Sequence, residues 1–424
     1  MAMTGEIHSS PHPANPRLWR VAQALGLLGL ALLGVFLPSS TAGTSLGLVA
    51  LFLSAALLLP SLWALRVWRE PFVGLGLLLF AYIGLHSLWM SWAQAQPVSL
   101  LGSYSELWRV PVLLAVFALA RNTEVFWRAL VMGAIALCGL YWLNLAGLTV
   151  IDSNVFHLEG RRISAPLGLL AVGWIALERS VTSARPWAMR SVALLMAMTT
   201  IFAIEGRTGH FSLIALSALA GWLYFQGRWR WLGMLLLPLA VALLSINSKA
   251  VQNRMDDTLT ITQKKTDSTE VRSAELRKAF YTTGLQIVLD HPWMGVGYDG
   301  VAAAYETRII RRVAAGEFSP PYAQQPYSRP PNLHNEYLMQ WAGGGLSALI
   351  LLIGWMVSPL LSKGHSPSTR RVLAGLILLF GLGCLFNSWL LDFTPGHVFT
   401  VLIAWQLSGR YRQQHAATHP GKSA

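Results

Sequence analysis

The residues best suited to chemistry fall in three short stretches. The first is Asn332-Leu333-His334-Asn335-Glu336-Tyr337-Leu338-Met339-Gln340-Trp341, where a hydrophilic segment gives way to an apolar run. His334 is therefore expected at or near the N-terminus of a helix. The positive end of the helix dipole disfavours an imidazolium there, and a general base must be neutral before it takes a proton. Tyr337 and Trp341 are expected further along on the same helix face. The other two stretches are Glu159-Gly160-Arg161-Arg162 and Glu205-Gly206-Arg207-Thr208-Gly209-His210. A guanidinium is a planar fork that donates two parallel hydrogen bonds to a phosphate. Arg161, Arg162 and Arg207 thus form a candidate anion-binding cluster, and Gly160, Gly206 and Gly209 leave the backbone open to a bulky substrate. The competing reading is a pair of interfacial arginine clusters that snorkel to water, each beside a neutralising glutamate.

These groups have to be held by a strongly apolar chain. Of its 424 residues, 54% are hydrophobic and 12% charged, about half the charge of a typical soluble domain. At about 20 apolar residues per crossing, twelve segments qualify as helical spans: 18–37, 44–65, 71–93, 107–120, 126–148, 163–178, 187–204, 209–226, 230–246, 336–358, 371–391 and 396–410. The composition specifies an all-α polytopic membrane protein and excludes disorder, a disulfide scaffold and a water-soluble enzyme. The layout is a tail (1–16), nine helices (17–246), one long hydrophilic segment (247–335), three helices (336–410) and a second tail (411–424). No small-residue cleavage site follows the first run, so it is expected to remain as a helix.

The net charge of +13 is spread through the gaps between spans and not gathered into a nucleic-acid patch. Every second gap is basic, from Arg17 and Arg20, through Arg66, Arg69, Arg121 and Arg128, to Arg410 and Arg412. The positive-inside rule then places both termini in the cytoplasm. Segment 247–335 and the two arginine-bearing links fall on the opposite face, which in a bacterium is the periplasm. Cys138 and Cys384 lie in apolar runs and suggest neither a disulfide nor a metal site.

Within the hydrophilic segment, 268–289 favours a helix with Leu276, Phe280 and Leu285 as its buried stripe. Asp290-His291-Pro292 stops it, and Gly295-Val296-Gly297 makes a turn. A second helix fits 301–315, with Arg308, Arg311 and Arg312 placed either to complement its negative end or to bind a ligand. The strip from Pro320-Pro321-Tyr322 to Tyr327-Ser328-Arg329 could stack on sugar rings or pack as a lid. Asp256, Asp257 and Asp267 lack the spacing of a two-carboxylate metal site. His86 reads as a packing histidine within the third span.

The order and spacing of these motifs resemble the O-antigen ligase group of the wider O-antigen ligase and polymerase superfamily. The most specific part is Arg277-Lys278-Ala279-Phe280-Tyr281 followed by His291-Pro292-Trp293-Met294-Gly295-Val296-Gly297, with Tyr281 where a tryptophan is commoner. His334-Asn335-Glu336-Tyr337-Leu338 is similar to the family's histidine motif. The resemblance implies a GT-C-like glycosyltransferase in a Gram-negative inner membrane, with its active site facing the periplasm. It would move O-antigen polysaccharide as a block from undecaprenyl diphosphate to a sugar hydroxyl of lipid A-core, completing lipopolysaccharide. His334 would be the base, Arg161, Arg162, Arg207 and Arg277 would hold the diphosphate, and Arg277 would also serve catalysis. Tyr281, Arg308, Tyr322, Tyr327 and Tyr337 are candidate glycan contacts. The transfer is expected to be inverting, with no metal, cofactor or nucleotide; the partners are the two lipid-linked substrates and membrane lipids, and no nucleic acid. An O-antigen polymerase or a protein O-oligosaccharyltransferase would share the donor and the architecture. A lipid or polysaccharide transporter is disfavoured, because the span interiors carry almost no charge.

Overall fold

The computed structural model describes residues 16–148, 164–204, 206–248, 251–252 and 273–418. Among the described residues there is no strand, and the α-helices are α1 (Pro16–Phe36), α2 (Thr41–Leu57), α3 (Leu59–Ala64), α4 (Pro71–Gln94), α5 (Ser105–Leu119), α6 (Glu124–Leu145), α7 (Ala165–Arg179), α8 (Pro186–Phe202), α9 (Arg207–Tyr224), α10 (Arg228–Ile246), α11 (Ser273–Asp290), α12 (Val301–Ala314), α13 (Glu336–Leu361), α14 (Pro367–Phe386) and α15 (Phe393–Thr418). Pro16, Pro71, Pro186 and Pro367 each open a helix, where a missing N–H costs nothing.

Each of the twelve apolar segments coincides with a helix. Among the described residues, seven helical segments are long and apolar enough to cross a bilayer: α1, α4, Leu100–Leu119, α6, α10, α13 and α14. The second segment is not a straight rod, because α2 and the stretch Leu59–Arg69 meet at 84°. Pro60, in the first turn of α3, prevents one helix from running through the bend. The chain is thus an all-α polytopic membrane protein, as its composition requires.

Stacked aromatic rings join α4, α13, α14 and α15. Phe380 stacks on Phe399 with ring centroids 4.2 Å apart, and Phe72 stacks on Trp355 at 5.2 Å. A second core joins α11 and α12 to the start of α13 through Phe280, Ile287, Tyr305, Leu333 and Met339. The described part of segment 247–335 is therefore a layer fastened to one end of the bundle. The stripe expected on α11 is shifted. Phe280 is buried, but Leu285 is 48% exposed, and Ala279, Thr283 and Ile287 complete the buried face. The helical phase set by Phe280 and Ile287 turns Leu285 outward.

The fastening is unusual. Gly345 has φ 74° and ψ −172° inside α13, so the helix is broken there. The stretch Pro292–Gly297 fills the break: Val296 N–H donates to Ala342 O at 2.8 Å, Gly297 N–H to Gly343 O at 2.9 Å, and Leu346 N–H to Pro292 O at 3.0 Å. Both sides of this joint require glycine. A Cβ on Gly345 would lie 2.0 Å from Trp293 O, and one on Gly295 (φ 68°) would lie 2.6 Å from Ala342 O. Side chains brace it, with Trp341 Nε1 donating to Pro292 O at 3.0 Å and Tyr82 Oη to Gly344 O at 2.6 Å. His86 adds a 2.8 Å contact to Met294 O, so this histidine holds the turn as well as packing beside α4.

At the other end of the bundle, arginines pair with glutamates. Arg371 grips the buried Glu178 through Nε and Nη2 at 2.9 and 2.5 Å, and Tyr224 Oη donates to the same carboxylate at 2.5 Å. Arg410, Ser362 and Tyr411 converge on the buried Glu70, and Arg179 bonds Glu124.

Candidate functional site

His334 lies where the second core meets the bundle. It does not belong to α13: Asn335 is the N-cap, its side chain accepting from Leu338 N–H at 2.9 Å, and His334 is the residue before it. His334 therefore does not share a helix face with Tyr337 and Trp341. Its backbone is left-handed (φ 50°), a conformation that non-glycine residues hold only when neighbours enforce it. Three contacts do so. Asn332 Oδ1 accepts from His334 N–H at 2.9 Å, the imidazole stacks on Phe280 at 5.3 Å, and Tyr281 Oη lies 3.1 Å from His334 O and 2.8 Å from Leu385 O. Asn335 Nδ2 donates to the same Leu385 carbonyl at 3.1 Å. The ring is thus gripped from α11 and from the end of α14.

Among the described residues, the imidazole is engaged through one nitrogen. Nδ1 is 2.8 Å from Asn387 Oδ1, and Asn387 Nδ2 donates to Asp392 Oδ2 at 2.6 Å. Burial, more than any neighbour, pulls the His334 pKa below its ordinary value. The Asn387 contact opposes this, and the charge of Arg277 adds to it. The balance of these effects favours the neutral imidazole.

Arg277 and Tyr281 stand one turn apart on α11, facing this ring from one side. Burial is the main reason the Arg277 pKa is lowered; Tyr281 opposes the shift, and the like charge of Arg207 reinforces it. Arg207 opens α9 and is exposed, with Gly206 as its N-cap. Phe211, one turn on, stacks on Phe386 at 5.7 Å, which carries α9 to the end of α14 beside His334. Arg277 thus lies within electrostatic reach of both Arg207 and His334, which come from distant parts of the sequence. Gly209 does not offer open backbone as expected, because Pro166 and Thr200 stand 2.9 and 3.0 Å from where its Cβ would be. That contact also brings the start of α7, just after Arg161 and Arg162, against the start of α9. Arg161, Arg162, Glu159, Gly160, Glu205, Asp256, Asp257 and Asp267 lie outside the described residues.

The expected glycan contacts separate. Tyr322 is 1% exposed, with its hydroxyl 3.3 Å from Glu275, so it belongs to the core and not to a sugar-facing strip. Tyr337 Oη donates to Gly381 O at 2.9 Å, tying α13 to α14. Tyr281 is a clip, as described. Arg308 pairs with Asp290 at 2.6 Å, and Arg312 with Glu317, Thr282 and Thr283, so both brace α12. Tyr327 is half-buried.

Asn387 and Asp392 were not singled out from the sequence. A lone asparagine closing an apolar run has no periodic signal, and its meaning emerges only when α14 returns to His334.

The family model described as O-antigen ligase matches residues 192–353. This O-antigen ligase domain contains Arg207, Arg277 and His334, and it supports the resemblance read from the motifs. Asn387 and Asp392 lie beyond its end. A search of curated proteins finds no match to the chain.

Proposed function

With that domain as premise, we propose that the chain is an inner-membrane O-antigen ligase that acts at the periplasmic face. The observation that carries the reading is the position of Arg277, within electrostatic reach of both Arg207 and His334, whose Nδ1 is held by Asn387. The donor is O-antigen on undecaprenyl diphosphate, and the acceptor is a sugar hydroxyl of lipid A-core. The acceptor oxygen attacks the anomeric carbon while His334 Nε2 takes its proton. The bond from that carbon to the phosphate oxygen breaks, and the diphosphate leaves with charge developing toward Arg207 and Arg277. Positioned cations stabilise such charge, and base catalysis contributes typically about 10²–10⁴-fold. Attack opposite the leaving group inverts the anomeric configuration. Arg161 and Arg162 would complete the diphosphate site, since the helix that follows them packs on the helix that Arg207 opens. The overall plan is that of GT-C-like glycosyltransferases.

The test is an in vitro transfer assay with one lipid-linked donor and three separate acceptors: lipid A-core, free glycan and an acceptor protein. Glycan should appear on lipid A-core, and His334→Gln should abolish it while donor binding persists. Transfer to glycan or protein alone would make the chain a polymerase or a protein oligosaccharyltransferase. Donor carried across vesicles without any transfer would leave a transporter.

A further inference from the structure

We propose that Asn387 decides which nitrogen of His334 carries the proton, and that Asp392 decides which way Asn387 faces. The inference rests on the reading of His334 as the base and concerns how that base is kept ready. An asparagine side chain is ambiguous: its oxygen accepts, its nitrogen donates, and a rotation of half a turn exchanges them. Asp392 removes the ambiguity. As a carboxylate it can only accept, so the Asn387 group 2.6 Å away from it is the NH₂. The group left to face His334 is then Oδ1, at 2.8 Å. Oδ1 has no proton to give, so Nδ1 must be the N–H. The lone pair is thereby assigned to Nε2, the nitrogen proposed to receive the acceptor's proton.

The surroundings fit this role. Asn387 is 5% exposed, so water does not compete for its amide. Its own N–H donates to Gly383 O at 3.0 Å, which anchors the backbone at the end of α14. The link from Asn387 to α15 is pinned from below, where the buried Glu336 accepts from Leu390 N–H at 2.9 Å. The charged groups that act on the pair are Arg277 from α11 on His334, and Glu336 from α13 in contact with the field of Asp392. Burial pushes the Asp392 carboxyl up to about 6. Above that pH it is an acceptor only; below it, it gains a proton and the amide is free to turn. Asn387 and Asp392 act through His334 and are positioning residues.

Exchanging the two side chains separates this role from mere packing. In Asn387→Asp/Asp392→Asn, a carboxylate faces Nδ1–H and accepts the new amide's N–H, so the bond from Nδ1–H keeps its direction while the one between the two exchanged side chains reverses. We expect Asn387→Ala to lower kcat by about 10²-fold, within the range of base catalysis, with donor KM changed less than threefold. Its acid limb should move to lower pH, since the contact that favours the imidazolium is gone. The exchanged protein should recover at least tenfold over Asn387→Ala, with its acid limb above that of the parent. ¹⁵N-histidine NMR of the full chain in detergent, with His334 assigned by its loss in His334→Gln, reads the tautomer directly. The parent should show Nδ1–H and a bare Nε2, and Asn387→Ala a mixture. A bare Nδ1 in the parent, or an Asn387→Ala protein with parental kcat and acid limb, overturns the inference. A His334→Gln protein with parental activity would instead overturn the base itself.

Discussion

The two ends of the helical bundle use arginine in opposite ways. At the end far from His334, Arg371 is held by a carboxylate that is 1% exposed, and Arg410 by one that is fully buried. At the His334 end, burial and then the like charge of Arg207 lower the pKa of Arg277. Buried cations are held by partners when their task is to fix helices, because an unpaired buried charge is costly. A dianion bound between Arg207 and Arg277, as proposed above, would offset the repulsion between their charges. The contrast separates arginines paired with buried carboxylates from an arginine whose charged neighbour is another arginine.

This contrast can be broken at several points. The largest effect should come from Glu178→Ala, which leaves Arg371 without its partner. It should destabilise the protein by about 3–5 kcal/mol, read as a fall in thermal midpoint in detergent, while the folded fraction keeps its turnover. Arg277→Met should do the reverse: a thermal midpoint at or above the parent's, with transfer lowered by about 10²–10³-fold, the usual cost of removing one charge-stabilising donor. Lysine at 277 should restore little, because a point charge lacks the fork. An Arg277→Met protein that melts like Glu178→Ala would erase the distinction between the two ends.

A smaller structural effect is expected at the joint in α13. Gly345→Ala forces a side chain into a backbone region that is essentially glycine's, at a cost of about 1–3 kcal/mol, and also meets Trp293 O. It should lower the thermal midpoint and, through the displaced turn, activity. Parental values for both would show that the break is soft.

The smallest effect is electrostatic. Because Arg277 helps to hold the His334 pKa below its ordinary value, removing the charge should raise that pKa. Activity is full above the imidazole pKa and falls as pH drops through it. The parent's acid limb should therefore lie below about 6.5, and in Arg277→Met the His334 titration, followed by NMR, should move upward. A downward or null movement would place Arg277 too far from the ring to influence it.

Much of this was legible in the sequence, for physical reasons. Apolar runs bounded by prolines and basic gaps locate helices because the bilayer tolerates nothing else, so α4, α6 and α13 fall within a few residues of the expected segments. Arg207 and His334 could be picked out from their surroundings, a charge in a short link and a histidine where a hydrophilic segment meets an apolar run, whereas Arg277 was reached only through the family-like motif around it. Leu285 and Tyr322 could not be placed, since a short helix and a proline-rich strip do not reveal which side meets a neighbour. Nor could Asn387, whose role depends on a return of the chain 53 residues after His334. The break at Gly345 was hidden for a similar reason. Gly343-Gly344-Gly345 reads as small residues for helix packing until the turn from Pro292 is seen to occupy it.

That occupied break has a consequence for biosynthesis. The carbonyls of Ala342 and Gly343 and the N–H of Leu346 find their partners in a turn made about fifty residues earlier in the chain. Hydrocarbon offers such groups nothing. As α13 leaves the translocation machinery, the preceding segment must therefore already be shaped to receive it. Formation of the Pro292–Gly297 turn becomes a checkpoint for insertion of the last three helices. A ribosome stalled before residue 336 would leave a half-bundle with a finished key and no lock.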